Sequence, residues 1–177
     1  ELGPAASLDA MHFLPQGFFP SRERGLLNPT YPTGLPLHLA AAHAVLGARA
    51  GTLFILIGAA VAAVALMYRA ARDLGLDRSL AAAGAVTLAA FPVFLFTSIQ
   101  PLSDTLATAW SLAALVAGLR AGRSARWAGV AGGAFAMATL VRPTNLLLAP
   151  ALLILVGLSP RRLLAFATGG LPGAAWL

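Results

Sequence analysis

The chain has 177 residues, of which 59% are hydrophobic and 10% charged; twelve arginines, no lysine and six acids leave a net charge of +6. A soluble domain carries about a quarter charged residues, so a mean hydropathy of +0.81 excludes an ordinary soluble domain and points to an integral membrane protein. The basic excess does not point to nucleic acid, because the arginines sit in short loops between apolar runs. The absence of cysteine excludes a disulfide frame and a thiolate metal site.

Residues 1–36 stand apart from the rest. They are rich in Pro and Gly, hold three of the six acids (Glu1, Asp9 and Glu23) and include the Phe18-Phe19 pair. That many aromatics argue against low-complexity disorder. The stretch reads as an ordered external loop on the membrane, with a short helix over residues 8–14. The YPTGLP turn at residues 31–36 then launches an apolar piece over residues 37–46. As a helix this piece covers roughly 15–18 Å, too short to cross a core of about 30 Å, so it is expected at the interface. Gly47-Ala-Arg-Ala-Gly51 breaks the pattern.

Six apolar spans follow, several of them short: 52–68, 80–97 with an interruption near Pro92, 104–119, 127–141, 145–158 and an incomplete 163–177. The fourth contains GVAGGAFAMA, small residues suited to close helix packing. The fold expected is therefore all-α: a polytopic transmembrane helix bundle with an N-terminal external loop and interfacial helix (1–51) ahead of a transmembrane region (52–177). No initiating Met or signal peptide opens the chain and the last run stops within apolar sequence, so the reading expects truncation at both ends.

Arginine count sets orientation. Alternate loops carry Arg69, Arg72 and Arg78, then Arg120, Arg123 and Arg126, then Arg161 and Arg162; this rich set is expected to be cytoplasmic. Residues 1–51, the 98–103 turn with Asp104, and Arg142-Pro143 then share the outer face. Asp9, Glu23, His38, His43, Asp104 and Arg142 can gather there, whereas Asp73 and Asp77 read as ordinary solvated loop residues.

No Gly-rich phosphate loop, HExxH, GxSxG or paired-cysteine pattern occurs. The chemistry must rest on isolated polar residues. Asp104, the only acid after Asp77, is either a helix cap or a carboxylate at the mouth of a cavity, able to meet a sugar hydroxyl, a divalent metal or a basic partner. Arg142 suits a helix C-terminus, and equally an anionic headgroup, since guanidinium pairs phosphate bidentately. Asp9 is a turn residue or a base held at the membrane surface. Arg22, Arg24 and Tyr31 form an interfacial belt or bind a polar headgroup. Lone histidines such as His12, His38 and His43 more often pack than bind metal.

YPTGLPLHLAAAHAVLG resembles the segment that ends the first external loop of GT-C type, polyprenyl-phosphate-dependent membrane glycosyltransferases, among them the protein mannosyltransferases and the lipid A aminoarabinose transferases. The resemblance continues through MYRAARDLGLDRSLAAAGAVTLAAFPVFLFTSIQPLSDTLATAW and the Arg-Pro that follows the Gly-rich run, covering residues 31–156. Its specificity lies in the order and spacing of weak motifs. It implies an upstream helix and a large external loop bearing a catalytic acid in an Asp-Glu-x-x-Tyr-Leu-like context. Asp9-Ala-Met-His-Phe-Leu fits this in part: Ala10 replaces the second acid, and His12-Phe13 shifts the aromatic. Asp104 matches the acid of the second external loop, and Arg142 the basic residue before Pro. The resemblance implies a multi-pass enzyme of the cell membrane, in bacteria the plasma membrane. It would be an inverting transferase that moves a sugar from a polyprenyl-phosphate donor to a lipid, glycan or protein acceptor, with catalytic Asp9 and Asp104, phosphate-binding Arg142, Arg22 and Arg24, and substrate-binding Tyr31 and His38. Its partners would be that donor, the acceptor and membrane lipids, not nucleic acid. The alternatives are a transporter or flippase fragment, with Asp104 as an ion site, and a structural subunit.

Overall fold

The computed structural model describes residues 18–20, 27–29 and 31–174. It divides into two compact units, Glu1–Pro32 and Thr33–Leu177. In the first, β1 (Phe18–Pro20) and β2 (Leu27–Pro29) pair antiparallel, with Phe19 opposite Asn28. Asp9, Arg22, Arg24 and the helix expected over residues 8–14 lie outside the described residues.

The second unit is all-α among the described residues. Its elements are α1 (Gly34–Leu46), α2 (Ala48–Asp73), α3 (Arg78–Ala90), α4 (Pro92–Ser98), α5 (Ser103–Arg120), α6 (Ala125–Val141), a 3-10 helix (Pro143–Leu148), α7 (Ala149–Val156) and α8 (Pro160–Ala174). Each break has a local cause. Gly47 takes φ 76°, a conformation L side chains rarely adopt, and separates α1 from α2. Only that residue is non-helical: the expected break through Gly51 is absent, and α2 begins at Ala48. Gly51 serves packing instead. A Cβ there would stand 2.8 Å from the carbonyl carbon of Ala42, so glycine lets α1 fold back on α2.

Asp77 caps α3, its Oδ1 accepting from the Ser79 hydroxyl at 2.7 Å and from the Leu80 N–H at 2.9 Å. Those bonds, the Ser79 hydroxyl first, hold its carboxyl below the ordinary carboxylate value. Pro92 drives Phe91 into an extended conformation (ψ 121°) and opens α4, bending the α3–α4 pair by 61°. Three hydroxyls close that corner. Thr97 and Ser98 both donate to the Phe94 carbonyl, which leaves the Thr105 hydroxyl to donate to one of them, at 3.2 or 3.3 Å. The extended Arg142 and Pro143 end α6, and Asn145 Nδ2 donates to the Ala138 carbonyl at 2.9 Å beside the Arg142 N–H. Arg161 and Arg162 lie in the first turn of α8 rather than ahead of it.

α6 packs between α5 and α8, and α5 in turn packs on α2. The α6–α8 contact is made of glycine: a Cβ on Gly132 would run into the Phe166 carbonyl, and one on Gly169 into that of Gly129. The interior is largely alanine, with Ala63, Ala81, Ala114, Ala121, Ala128, Ala131 and Ala138 fully enclosed. Large apolar side chains point outward, among them Phe54, Ile57, Val61, Phe96, Leu147 and Ile154. A water-soluble protein would bury these first. Small residues within and large ones without is the arrangement of helices that pack in lipid. Helix α2 is long and apolar enough to cross a membrane, and the bent α3–α4 pair would make a second span if counted as one; the other apolar helices among the described residues are shorter.

Asp73 is not a solvated loop residue. Helix α2 runs on to include it, and its Oδ2 meets Arg120 Nε at 2.7 Å with the carboxylate side chain only 9% exposed. Arg69 approaches its other oxygen at 3.6 Å, and Trp127 lies against the Arg120 guanidinium, 4.9 Å from ring centre to Cζ.

Candidate functional site

Helices α5 and α6 run antiparallel, joined by the short loop between Arg120 and Ala125, so the start of α5 and the end of α6 meet at one end of the unit. Asp104 stands in the first turn of α5, whose N-cap is Leu102 and carries no side-chain cap bond. Its carboxylate therefore does not cap. It reaches Arg142, the residue after α6, with Nη1 at 2.7 Å from Oδ1. The two side chains are 35% and 47% exposed, so the pair is open to solutes and solvent-screened rather than sealed.

The pair lines a cavity of about 330 Å³ with Thr108, Ser111, Thr144 and Asn145. Thr108 gives its proton to the Asp104 carbonyl at 2.9 Å, and Asn145 spends Nδ2 on the end of α6. Arg142 has five donor protons in a planar fork, and the ion pair to Asp104 runs through Nη1. Such a site offers a partly neutralised guanidinium and hydroxyls to an anion with sugar-like neighbours. It does not fit a divalent cation, since its one carboxylate already faces a cation. Among the described residues no three His, Asp or Glu side chains converge.

His38 lies elsewhere. Its Nδ1 is 2.7 Å from the Gly34 carbonyl and must donate to it, so Nε2 is the acceptor for the Trp110 indole N–H at 3.0 Å. The neutral Nδ1–H tautomer satisfies both partners and leaves neither ring nitrogen free. The pair borders an apolar groove of about 310 Å³ with Phe54, Ile55, Leu106 and Ala109, on the face of α5 away from Ala107 and Ser111. Helix α1 still bears on the Asp104 site through its first residue, because Gly34 packs against the Val141 backbone, next to Arg142.

His43 is further off. Since the Thr52 hydroxyl donates to the Ala48 carbonyl, His43 Nε2–H donates to Thr52 Oγ1 at 2.9 Å, tying α1 to α2. Tyr31 belongs to the first unit and is exposed. The structure thus brings together Asp104 and Arg142 and sets His38 and His43 apart from them. Trp110 and Asn145 were not singled out by sequence. The signal for Trp110 was an indole N–H in an apolar run, which needs an acceptor.

The second unit is thus a helical membrane unit with one open ion pair, hydroxyl-lined, at the arginine-poor end. Its family follows from comparison: the model described as dolichyl-phosphate-mannose-protein mannosyltransferase matches residues 32–171. The chain belongs to this family, whose members are integral membrane glycosyltransferases of the GT-C type. No curated protein matches the chain, and no solved structure does.

Proposed function

We propose that the protein is a multi-pass enzyme of the bacterial plasma membrane that transfers a sugar from a polyprenyl-phosphate donor to an acceptor hydroxyl at the outer face. The observation that supports this reading is the Asp104–Arg142 pair: a partly exposed guanidinium, held in place by a carboxylate, at the end of the helices where loop arginines are few.

In this reading Arg142 meets the donor phosphate with the donors not facing Asp104, and Asp104 fixes its orientation while accepting from a sugar hydroxyl. The acceptor oxygen attacks the anomeric carbon from the face opposite the phosphate. The carbon–oxygen bond to phosphate breaks, polyprenyl phosphate departs with the electron pair, and the acceptor proton passes to a carboxylate base. The anomeric configuration inverts. Asp9 is assigned as that base from the resemblance of its sequence context, and Arg22, Arg24 and Tyr31 to the headgroup from their charge and aromatic character. His38 becomes a positioning residue, acting through Gly34 and Trp110. Charge placed where phosphate leaves is the largest contribution expected from the protein.

The test follows label from a radioactive polyprenyl-phosphate sugar to lipid, glycan and protein fractions in membranes containing the full-length protein. Arg142→Ala is expected to lower transfer roughly 100-fold at equal expression, and Asp9→Asn by a similar factor. Wild-type rates in Arg142→Ala would overturn the phosphate role. Wild-type rates in Asp9→Asn would move the base elsewhere.

A further inference from the structure

The opposite end of the helices carries a second cavity, of about 400 Å³, lined by Gly122, Arg123, Ser124, Ser159, Arg161 and Arg162. It lies between the loop joining α5 to α6 and the loop joining α7 to α8. Arg120 separates it from Asp104 by sixteen residues of α5, about 24 Å along the axis. It is therefore distinct from the site already described.

Three observations set this cavity apart from an ordinary basic loop. The first is its charge. Among the described residues no carboxylate lies within ion-pair distance of Arg123, Arg161 or Arg162, because Asp73 at this end is taken by Arg120 and Arg69. The second is the placement of those charges. Arg161 and Arg162 occupy the first turn of α8, where the helix dipole disfavours cations, and Arg162 is held there by donating Nη2 to the Gly122 carbonyl at 3.2 Å. The Ser124 hydroxyl, at the start of α6, makes no cap bond of its own. Three guanidiniums without a carboxylate partner and a hydroxyl without a cap bond line one cavity, a set of donors that suits an anion. The third is an apolar margin on the two helices that meet there: Leu158, next to Ser159 in sequence, Leu164, two positions after Arg162, and Ile154 of α7 are all exposed.

We propose that this cavity binds the headgroup phosphate of an anionic phospholipid of the cytoplasmic leaflet, its acyl chains lying along that margin. The arginines recognise the phosphate, and the exposed apolar residues select a lipid over a free anion. This function is separate from sugar transfer and does not depend on it.

The experiment uses the full-length protein in neutral detergent, titrated with phosphatidylglycerol or phosphatidylcholine and read by native mass spectrometry and by thermal unfolding. Phosphatidylglycerol is expected to bind in preference and to raise the unfolding temperature. The double variant Arg123→Gln/Arg161→Gln keeps the Arg162 bond to Gly122 and is expected to bind about thirtyfold more weakly. Arg49→Gln, which removes one positive charge far from the cavity, is expected to bind as wild type does. Equal binding of both lipids, unchanged binding by the double variant, or an equal loss in Arg49→Gln would each overturn the site. Displacement of the lipid by millimolar inorganic phosphate would overturn the lipid assignment and leave a free-anion site. The unfolding temperature without added lipid checks that the double variant is folded.

Discussion

Asp73 and Asp77 are four positions apart in a basic loop sequence and look alike, yet they do different work. Asp77 is exposed and caps α3; asparagine caps as well as aspartate, so Asp77→Asn is expected to leave the unfolding temperature close to that of the wild type. Asp73 is enclosed with Arg120, whose Nη2 is buried without a hydrogen-bond partner. Asp73→Asn would leave a buried guanidinium without its counter-charge, and a loss of about 3–5 kcal/mol is expected in thermal unfolding of the purified protein. A loss no larger than that of Asp77→Asn would mean the pair is wetter than its exposure implies. Asp104 and Arg142 could be put on one face from arginine counting alone, because orientation depends on charge totals. Their contact could not, because it depends on which turn of α5 meets the end of α6. Nor could the engagement of His38 by Trp110, which lies 72 positions away.

At the level of elements, the sequence carried most of the helices and missed their edges. The Pro92 interruption, the Gly-rich helix and the Arg142-Pro143 turn were all readable, because proline and glycine act through local geometry. The start of α2 at Ala48 was not, since a single glycine in a left-handed conformation breaks a helix as sharply as a longer run. Glycine's other use, close approach, is equally hidden from sequence. Gly34 shows it: a Cβ there would lie 2.5 Å from Val141 Cα, and neither backbone can yield locally. Gly34→Ala should push α1 off α6, costing about 1–3 kcal/mol and lowering sugar transfer through the displaced Arg142. Gly58→Ala, which meets open space in the middle of α2, should leave transfer intact and gain a few tenths of a kcal/mol or more. Parallel losses of transfer in both variants would remove Gly34 from the support of the site.

The unit as a whole is built from alanine inward and from leucine, valine and phenylalanine outward. Composition announced a membrane protein but not this sorting, which depends on helix rotation. It predicts that size matters inside and hardly at all outside. Ala63→Leu, at a position with no exposure, should cost about 1–3 kcal/mol. Val61→Leu, two positions earlier and largely exposed, should stay within about 0.5 kcal/mol in the same unfolding assay. The two ion pairs have a further consequence together. Asp104–Arg142 and Asp73–Arg120 sit at the two ends of α5, and the exposed Arg142 at one end and Arg69 beside Asp73 at the other seek the polar layers of a bilayer. The rise between them is about 24 Å, against a hydrocarbon core of about 30 Å. Lipid around the unit must shorten to meet both ends, at fractions of a kcal/mol for each ångström. The protein would thus gather short-chain lipid around itself and pinch the two leaflets together beside its candidate active site.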